Sequence, residues 1–145
     1  MTTGVLNRAE DLREAGWTEM EDSGFIGLVG PLWISPERPE RRFGFVAEDK
    51  HRNRNGNVQG GMLMTFADRA MGFASRSVDP TIASQATATM TFDFIDSGHI
   101  GDVIVIDCEV MRRTKTLVFM RGTLASGDRL IGTASGIWKI KTRHE

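Results

Sequence analysis

Only one cysteine, Cys108, occurs in the chain, so no disulfide forms within it and no thiolate metal centre is expected. Tyrosine is absent altogether. No apolar run approaches the ~20 residues that a membrane-spanning helix requires. Neither sign of charge dominates: 18 Lys and Arg against 19 Asp and Glu leave a net charge of −1. A nucleic-acid binder would carry a basic excess, so that class is disfavoured. The opening MTTGVLNRAEDLREAG mixes both signs and holds no apolar h-region, so no secretory signal is expected and a cytoplasmic location is the default. The three histidines, His51, His99 and His144, show no ligand spacing, and no metal is expected. A G-x-S-x-G elbow, a P-loop and internal repeats are all missing.

What remains is an ordinary globular composition, with 40% apolar and 26% charged residues over 145 positions, enough for one domain with one core. Eight Met and eight Phe suggest a deformable apolar core or a ligand tunnel. Val5, Leu6, Ala9, Leu12 and Ala15 give residues 5–15 a narrow helical stripe that Gly16 ends. FIGLVGPLWI, residues 25–34, reads as a short strand broken by Gly30 and Pro31. Arg42 to Glu48 alternates Phe43, Phe45 and Ala47 on one strand face.

After Gly60 and Gly61 the spacing becomes helical. Leu63, Ala67, Ala70 and Ala74 form a small stripe, while Met62, Phe66 and Phe73 form a bulky one. Asp79-Pro80 closes that segment. The rest reads as a four-strand meander. Its first strand sets Ala86, Ala88, Met90, Phe92 and Phe94 against Thr87, Thr89, Thr91 and Asp93. The last strand aligns Gly132, Ala134, Gly136 and Trp138, leaving room for a close neighbour. The expected fold is α+β, one long helix wrapped by a curved antiparallel sheet, with residues 1–24 as a lead-in and 25–145 as the domain. Exposed strand edges and an uncovered sheet face favour oligomerisation.

Two features of the helix carry chemistry. Free amides at a helix start, with no side chain on Gly60 or Gly61 to block approach, can polarise a carbonyl or hold an oxyanion. Asp68 has Met64, Thr65, Met71 and Gly72 as its i±3 and i±4 neighbours, none of them basic, and Arg69 points about 100° away. A carboxylate buried without a partner tends towards a raised pKa, a useful property in a general base. On one helix Gly60 and Asp68 are roughly 12 Å apart, too far to act on one carbonyl. Two such helices antiparallel across a twofold axis would bring each helix start to the other chain's Asp68. The small stripe and the glycines are compatible with close helix packing of that kind.

The stretch NRNGNVQGGMLMTFADRAMGFA resembles the PaaI-like (4-hydroxybenzoyl-CoA thioesterase-like) acyl-CoA thioesterases of the hotdog fold. Their signature is approximately Asn-x-x-Gly-x-x-His-Gly-Gly with an Asp eight residues after the first Gly of the pair. Asn53, Gly56, Gly60, Gly61 and Asp68 fall at matching positions, and the element order matches from about Phe25 onward. The resemblance implies a homodimer or dimer of dimers that hydrolyses an acyl-CoA, with coenzyme A as part of the substrate and no separate cofactor. It implies that the Gly60 amide polarises the thioester carbonyl and that the partner subunit's Asp68 is general base or nucleophile. Asn53 would orient thioester or water, and Thr87 would set a hydroxyl near the water. Gln59 and Gly61, the loop Ile95, Asp96, Ser97, Gly98 and His99, and the basic turn Arg112, Arg113, Thr114, Lys115 and Thr116 would line the substrate.

Gln59 stands where the family carries His, and it cannot hold a proton near neutral pH. If that side chain only orders the loop, Gln serves as well. Two alternatives follow from it: a catalytically idle acyl-CoA binding module, and a hotdog enoyl-CoA hydratase or dehydratase, the latter disfavoured because those relatives use a catalytic His. His51 is expected on a surface loop, His99 in a turn, and Cys108 in the core. The acyl group is not legible.

Overall fold

The computed structural model describes residues 8–143. Helix α1 (Ala9–Glu14) is followed by strand β1 (Thr18–Glu19), helix α2 (Gly24–Val29), and strands β2 (Trp33–Ile34) and β3 (Arg42–Val46). A 3-10 turn (Asp49–His51) and a loop lead to helix α3 (Gly60–Arg76). Four long strands complete the chain: β4 (Ile82–Phe94), β5 (Val103–Arg113), β6 (Leu117–Ser126) and β7 (Arg129–Thr142). All seven strands form one antiparallel sheet in the order β1-β2-β3-β5-β6-β7-β4. A curved, unclosed sheet around one long helix is the hotdog architecture expected from the sequence.

Helix α3 holds the centre because its small stripe can sit flush on the pleated sheet. Leu63, Ala67, Ala70 and Ala74 are buried in the chain's own core beside Phe43, Phe45, Ile104, Ile106 and Met120. That stripe is therefore consumed within one chain and does not pack against a second helix, contrary to the expectation above. The bare face of the last strand is likewise filled from within. A Cβ on Gly132 would lie 2.7 Å from the Phe92 ring, and one on Gly136 would lie 2.7 Å from that of Trp138.

The sheet's other face is not left open throughout. Leu12 of α1 joins Trp17, Trp33 and Val103 in a smaller buried cluster there. Gly44 permits this, since a Cβ at that position would lie 3.1 Å from the Trp17 ring. Gly16, at φ +93°, ends α1 as its sequence position suggests. The expected first turn at Val5 and Leu6 lies outside the described residues. Thr18–Glu19 pairs with Trp33–Ile34, so the lead-in contributes the sheet's edge strand.

Two elements differ from their sequence reading. Residues 24–29 are helical rather than extended. A six-residue apolar run has no periodicity long enough to separate strand from helix. The last four strands are not a simple meander either, because β4 pairs with β7 and leaves β5 beside β3. The connection at 95–102 crosses the sheet, where a hairpin would need only about two to five residues.

Candidate active site

Strand β4 forms one edge of the sheet and faces α3. Its register against β7 shifts between Thr87, opposite Trp138, and Thr89, opposite Ile137. The extra residue, Ala88, is a β-bulge. Simple alternation sets Thr87 against Met90, Phe92 and Phe94, but the bulge returns it to their face. There its Oγ1 donates a 2.5 Å hydrogen bond to Oδ1 of Asp68.

Asp68 is thus half-buried and partnered, not isolated as its helical neighbours suggested. Arg69 turns away, as expected, and pairs with Asp22 at 3.0 Å beneath its stacking on Phe73. A shallow cavity of about 160 Å³ opens here, lined by Asp68, Gly72, Gln85, Thr87 and Trp138.

The start of α3 forms a separate cavity of about 350 Å³, lined by Asn53, Asn57, Gly60, Leu63, Phe94 and the loop Ile95–Gly98. The amides of Gly60 and Gly61 donate to no group among the described residues, because each precedes the first intrahelical bond. Gly60 sits beneath the exposed Phe94 ring, with 3.1 Å between that ring and the place a Cβ would take. Asn53 builds the approach loop. Its Oδ1 accepts from the amides of Asn55 at 2.9 Å and Asn57 at 3.0 Å, so that oxygen is engaged with the loop itself.

Gln59 is exposed and its side chain makes no capping bond to α3. The loop is held through its backbone, which donates to the His51 carbonyl at 2.8 Å and accepts from Met62 at 2.9 Å. His51 is buried, not a surface residue. Its Nδ1 accepts from the Glu48 amide at 2.9 Å, so Nε2 carries the proton donated to the Val29 carbonyl at 2.6 Å. The histidine ties α2 to the turn that precedes the glycine loop.

Arg129, missed by sequence reasoning, organises the other wall. It donates to the Ser97 carbonyl and to Asp102 at 2.7 Å, and it lies 3.4 Å from Asp96. His99 meets it at 3.2 Å. The Ser97 amide and Arg129 together hold the Asp96 carboxyl below its ordinary pKa. A basic residue directly after the Gly127-Asp128 turn, opening the last alternating strand, was the available signal.

The structure brings Asn53, Gly60 and residues 95–98 together, and Asp68 with Thr87, but it keeps these groups apart within one chain. The basic turn 112–116 sits near the C-terminal end of α3, away from Gly60. Arg113 is committed there to Asp79 at 2.7 Å, and the Thr116 carbonyl accepts from Ile140. The Thr81 amide, then Arg113, lower Asp79 to a pKa of about 2. Cys108 is buried in the core as expected, and burial pushes its thiol up to about 12. No cluster of potential metal ligands occurs among the described residues.

A hotdog fold with a glycine-started helix and a carboxylate two turns along is the arrangement expected from the thioesterases that the sequence resembles. Residues 55–133, more than half of the chain, match the Thioesterase superfamily, and the chain belongs to that family. A provisionally named esterase of Pseudomonas aeruginosa is 26% identical over 119 residues, spanning 81% of this chain and 89% of that one. Acyl-coenzyme A thioesterase 13 of Mus musculus is 23% identical over 116 residues, spanning 79% and 82%. Among solved structures, zebra fish Thioesterase Superfamily Member 2 superposes with a TM-score of 0.74 at 21% identity, over 83% of this chain and 89% of that one. The PaaI protein of E. coli gives 0.65 at 16%, over 90% and 83%. A hypothetical thioesterase protein from Streptococcus pneumoniae, solved with coenzyme A, gives 0.65 at 20%, over 70% and 77%. These likenesses establish the hotdog fold.

Proposed function

We propose that the protein hydrolyses an acyl-CoA thioester at two equivalent sites, each shared between two subunits. One observation carries this reading. A single helix holds free amides at its start and a hydroxyl-bound carboxylate roughly 12 Å along, each opening on its own cavity. Apposition of two chains about a twofold axis joins the two halves.

In the joined site the thioester carbonyl accepts from the α3 amides, with Gly60 as the principal donor. Charge developing on that oxygen is stabilised by donors already in place and by the helix dipole. Asp68 of the opposing chain draws a proton from water as the water attacks the carbonyl carbon. The Thr87 hydroxyl fixes Oδ1, which leaves Oδ2 to meet the water. Collapse of the tetrahedral intermediate expels the coenzyme A thiolate, a good leaving group. Asn53 keeps the loop shape, and Asp96, Ser97 and Gly98 border the pantetheine arm. The turn 112–116 supplies cationic charge for phosphates from the subunit that faces the site.

Support for the acyl-CoA class comes from family membership and from the mouse relative's activity. The test is release of free thiol from an acyl-CoA panel. Wild-type turnover with a roughly 10²–10⁴-fold lower kcat for Asp68→Ala supports the assignment. Full turnover by that variant removes Asp68 from the mechanism. Tight binding without thiol release would make the protein a binding module. Incorporation of isotope from labelled water into Asp68 during a single turnover would replace the base role with direct attack.

A further inference from the structure

The first turn of α3 separates two unlike cavities. On the side of Gly60 lies the polar one, with Asn53, Asp96 and Ser97 in its wall. On the side of Gly61 lies a cavity of about 410 Å³ between α3 and α2, lined by Phe25, Val29, Gln59, Met62 and Thr65. A carbonyl held by the amides of this turn has one substituent on each flank. Resting on the acyl-CoA reading above, we infer that the acyl group enters the α2 cavity, and that this cavity selects uncharged, apolar acyl groups of limited size.

Three features of the cavity argue for this. Its volume is near the lower end of the ~300–1,000 Å³ of ligand pockets, which fits an acyl group of limited size. The apolar side chains come from both walls, Phe25 and Val29 on one and Met62 on the other. The α2 wall is held in place: the Val29 carbonyl accepts from His51 at 2.6 Å, and the Gly30 carbonyl accepts from Lys50 at 2.6 Å.

Two cations, Lys50 and Arg52, stand at the rim, each beside a carboxylate. Lys50 is bound to that carbonyl and lies 3.5 Å from Glu48, while Arg52 pairs with Asp49 at 3.0 Å. Thr65 donates to the Gly61 carbonyl at 2.9 Å. The two pairs balance in charge, and inside them the wall is apolar apart from the Gln59 carboxamide and the Thr65 hydroxyl. A terminal carboxylate on the acyl chain would have to compete with Glu48 and Asp49 for those cations while losing its water, which is costly.

The experiment compares kcat/KM for acetyl-, octanoyl-, dodecanoyl-, phenylacetyl- and succinyl-CoA in the wild type and two variants. Octanoyl- or phenylacetyl-CoA should exceed succinyl-CoA by at least roughly tenfold in the wild type. Val29→Trp, which fills the cavity, should lower the octanoyl-to-acetyl ratio by about tenfold or more. Phe25→Ala, at an exposed position that threatens the fold little, should shift preference towards dodecanoyl-CoA. Thiol release with both ratios unmoved, or with succinyl-CoA preferred, overturns the acyl cavity and leaves the thioesterase intact. Absence of thiol release from every substrate overturns both.

Discussion

The division of the site between two chains can be tested by mixing two damaged proteins. Gly60 is the first residue of α3, a position where proline is favoured because its missing N–H has no intrahelical role. Gln59 before it has φ −58° and ψ 133°, the conformation that proline imposes on its predecessor. Gly60→Pro therefore removes the donor and keeps the helix, while the exposed Phe94 ring yields to the added carbons. Loss of one such donor costs roughly 10²–10³ in kcat. Asp68→Ala removes the other half and costs roughly 10²–10⁴. Co-refolding equal amounts of the two variants gives mixed dimers as about half of the total. In each mixed dimer one site carries both lesions, and the other joins an intact Gly60 to an intact Asp68. The mixture should therefore recover about one quarter of wild-type activity, far above either parent. Thiol release measured before and after co-refolding reads this directly. If each site lay within one chain, every site in the mixture would carry one lesion. A mixture no more active than the mean of its parents, with mixed dimers demonstrated, refutes the shared site.

Thr87→Val should lower kcat about tenfold with little change in KM, since it removes a hydrogen bond to a charged group. Added to Asp68→Ala it should do almost nothing, because the two act as a unit, and steady-state kinetics of the single and double variants check this. Arg129→Gln should loosen residues 96–102 and raise KM several-fold more than it lowers kcat; equal loss in both would make Arg129 a general stabiliser. Asp79 is held at about 2 against an ordinary 3.8, so its stabilising effect is present above pH 4 and is lost as the pH falls from about 4 to about 2. Asp79→Asn should flatten the acid limb of stability over that interval in urea titrations; an unchanged limb would show that the Arg113 and Thr81 contacts do not form in solution.

Long, periodic segments were legible and short ones were not. Helix α3 and the four long strands carry enough repeats for spacing to identify them, and Phe43, Phe45 and Ala47 face the core as alternation requires. Residues 24–29 fail because a six-residue helix gives less than two turns of signal. The strand order fails because pairing is a long-range property, although the length of the 95–102 connection argued against a hairpin. Gly60 and Asp68 stood out by local chemistry alone. The tie between Thr87 and Asp68 did not, since it depends on a bulge that no residue type announces. His51 and Arg129 were also hidden. Each acts by reaching backbone far along the chain, Val29 for one and Ser97 for the other.

The bulge at Ala88 affects how this chain is matched to others. Counting in twos from Thr87 leads to Thr89 and Thr91, on the wrong face of the sheet, whereas the residues that share its direction are Met90, Phe92 and Phe94. A relative whose corresponding strand runs unbroken has one residue fewer here. Unless a gap is opened opposite Ala88, its hydroxyl-bearing position aligns with a neighbour of Thr87 or its apolar face with the threonines. The alignment of the half-strand that bears Thr87 and of the core half-strand must then be anchored separately, the first on Asp68 and the second on the rings that fill the bare face of β7.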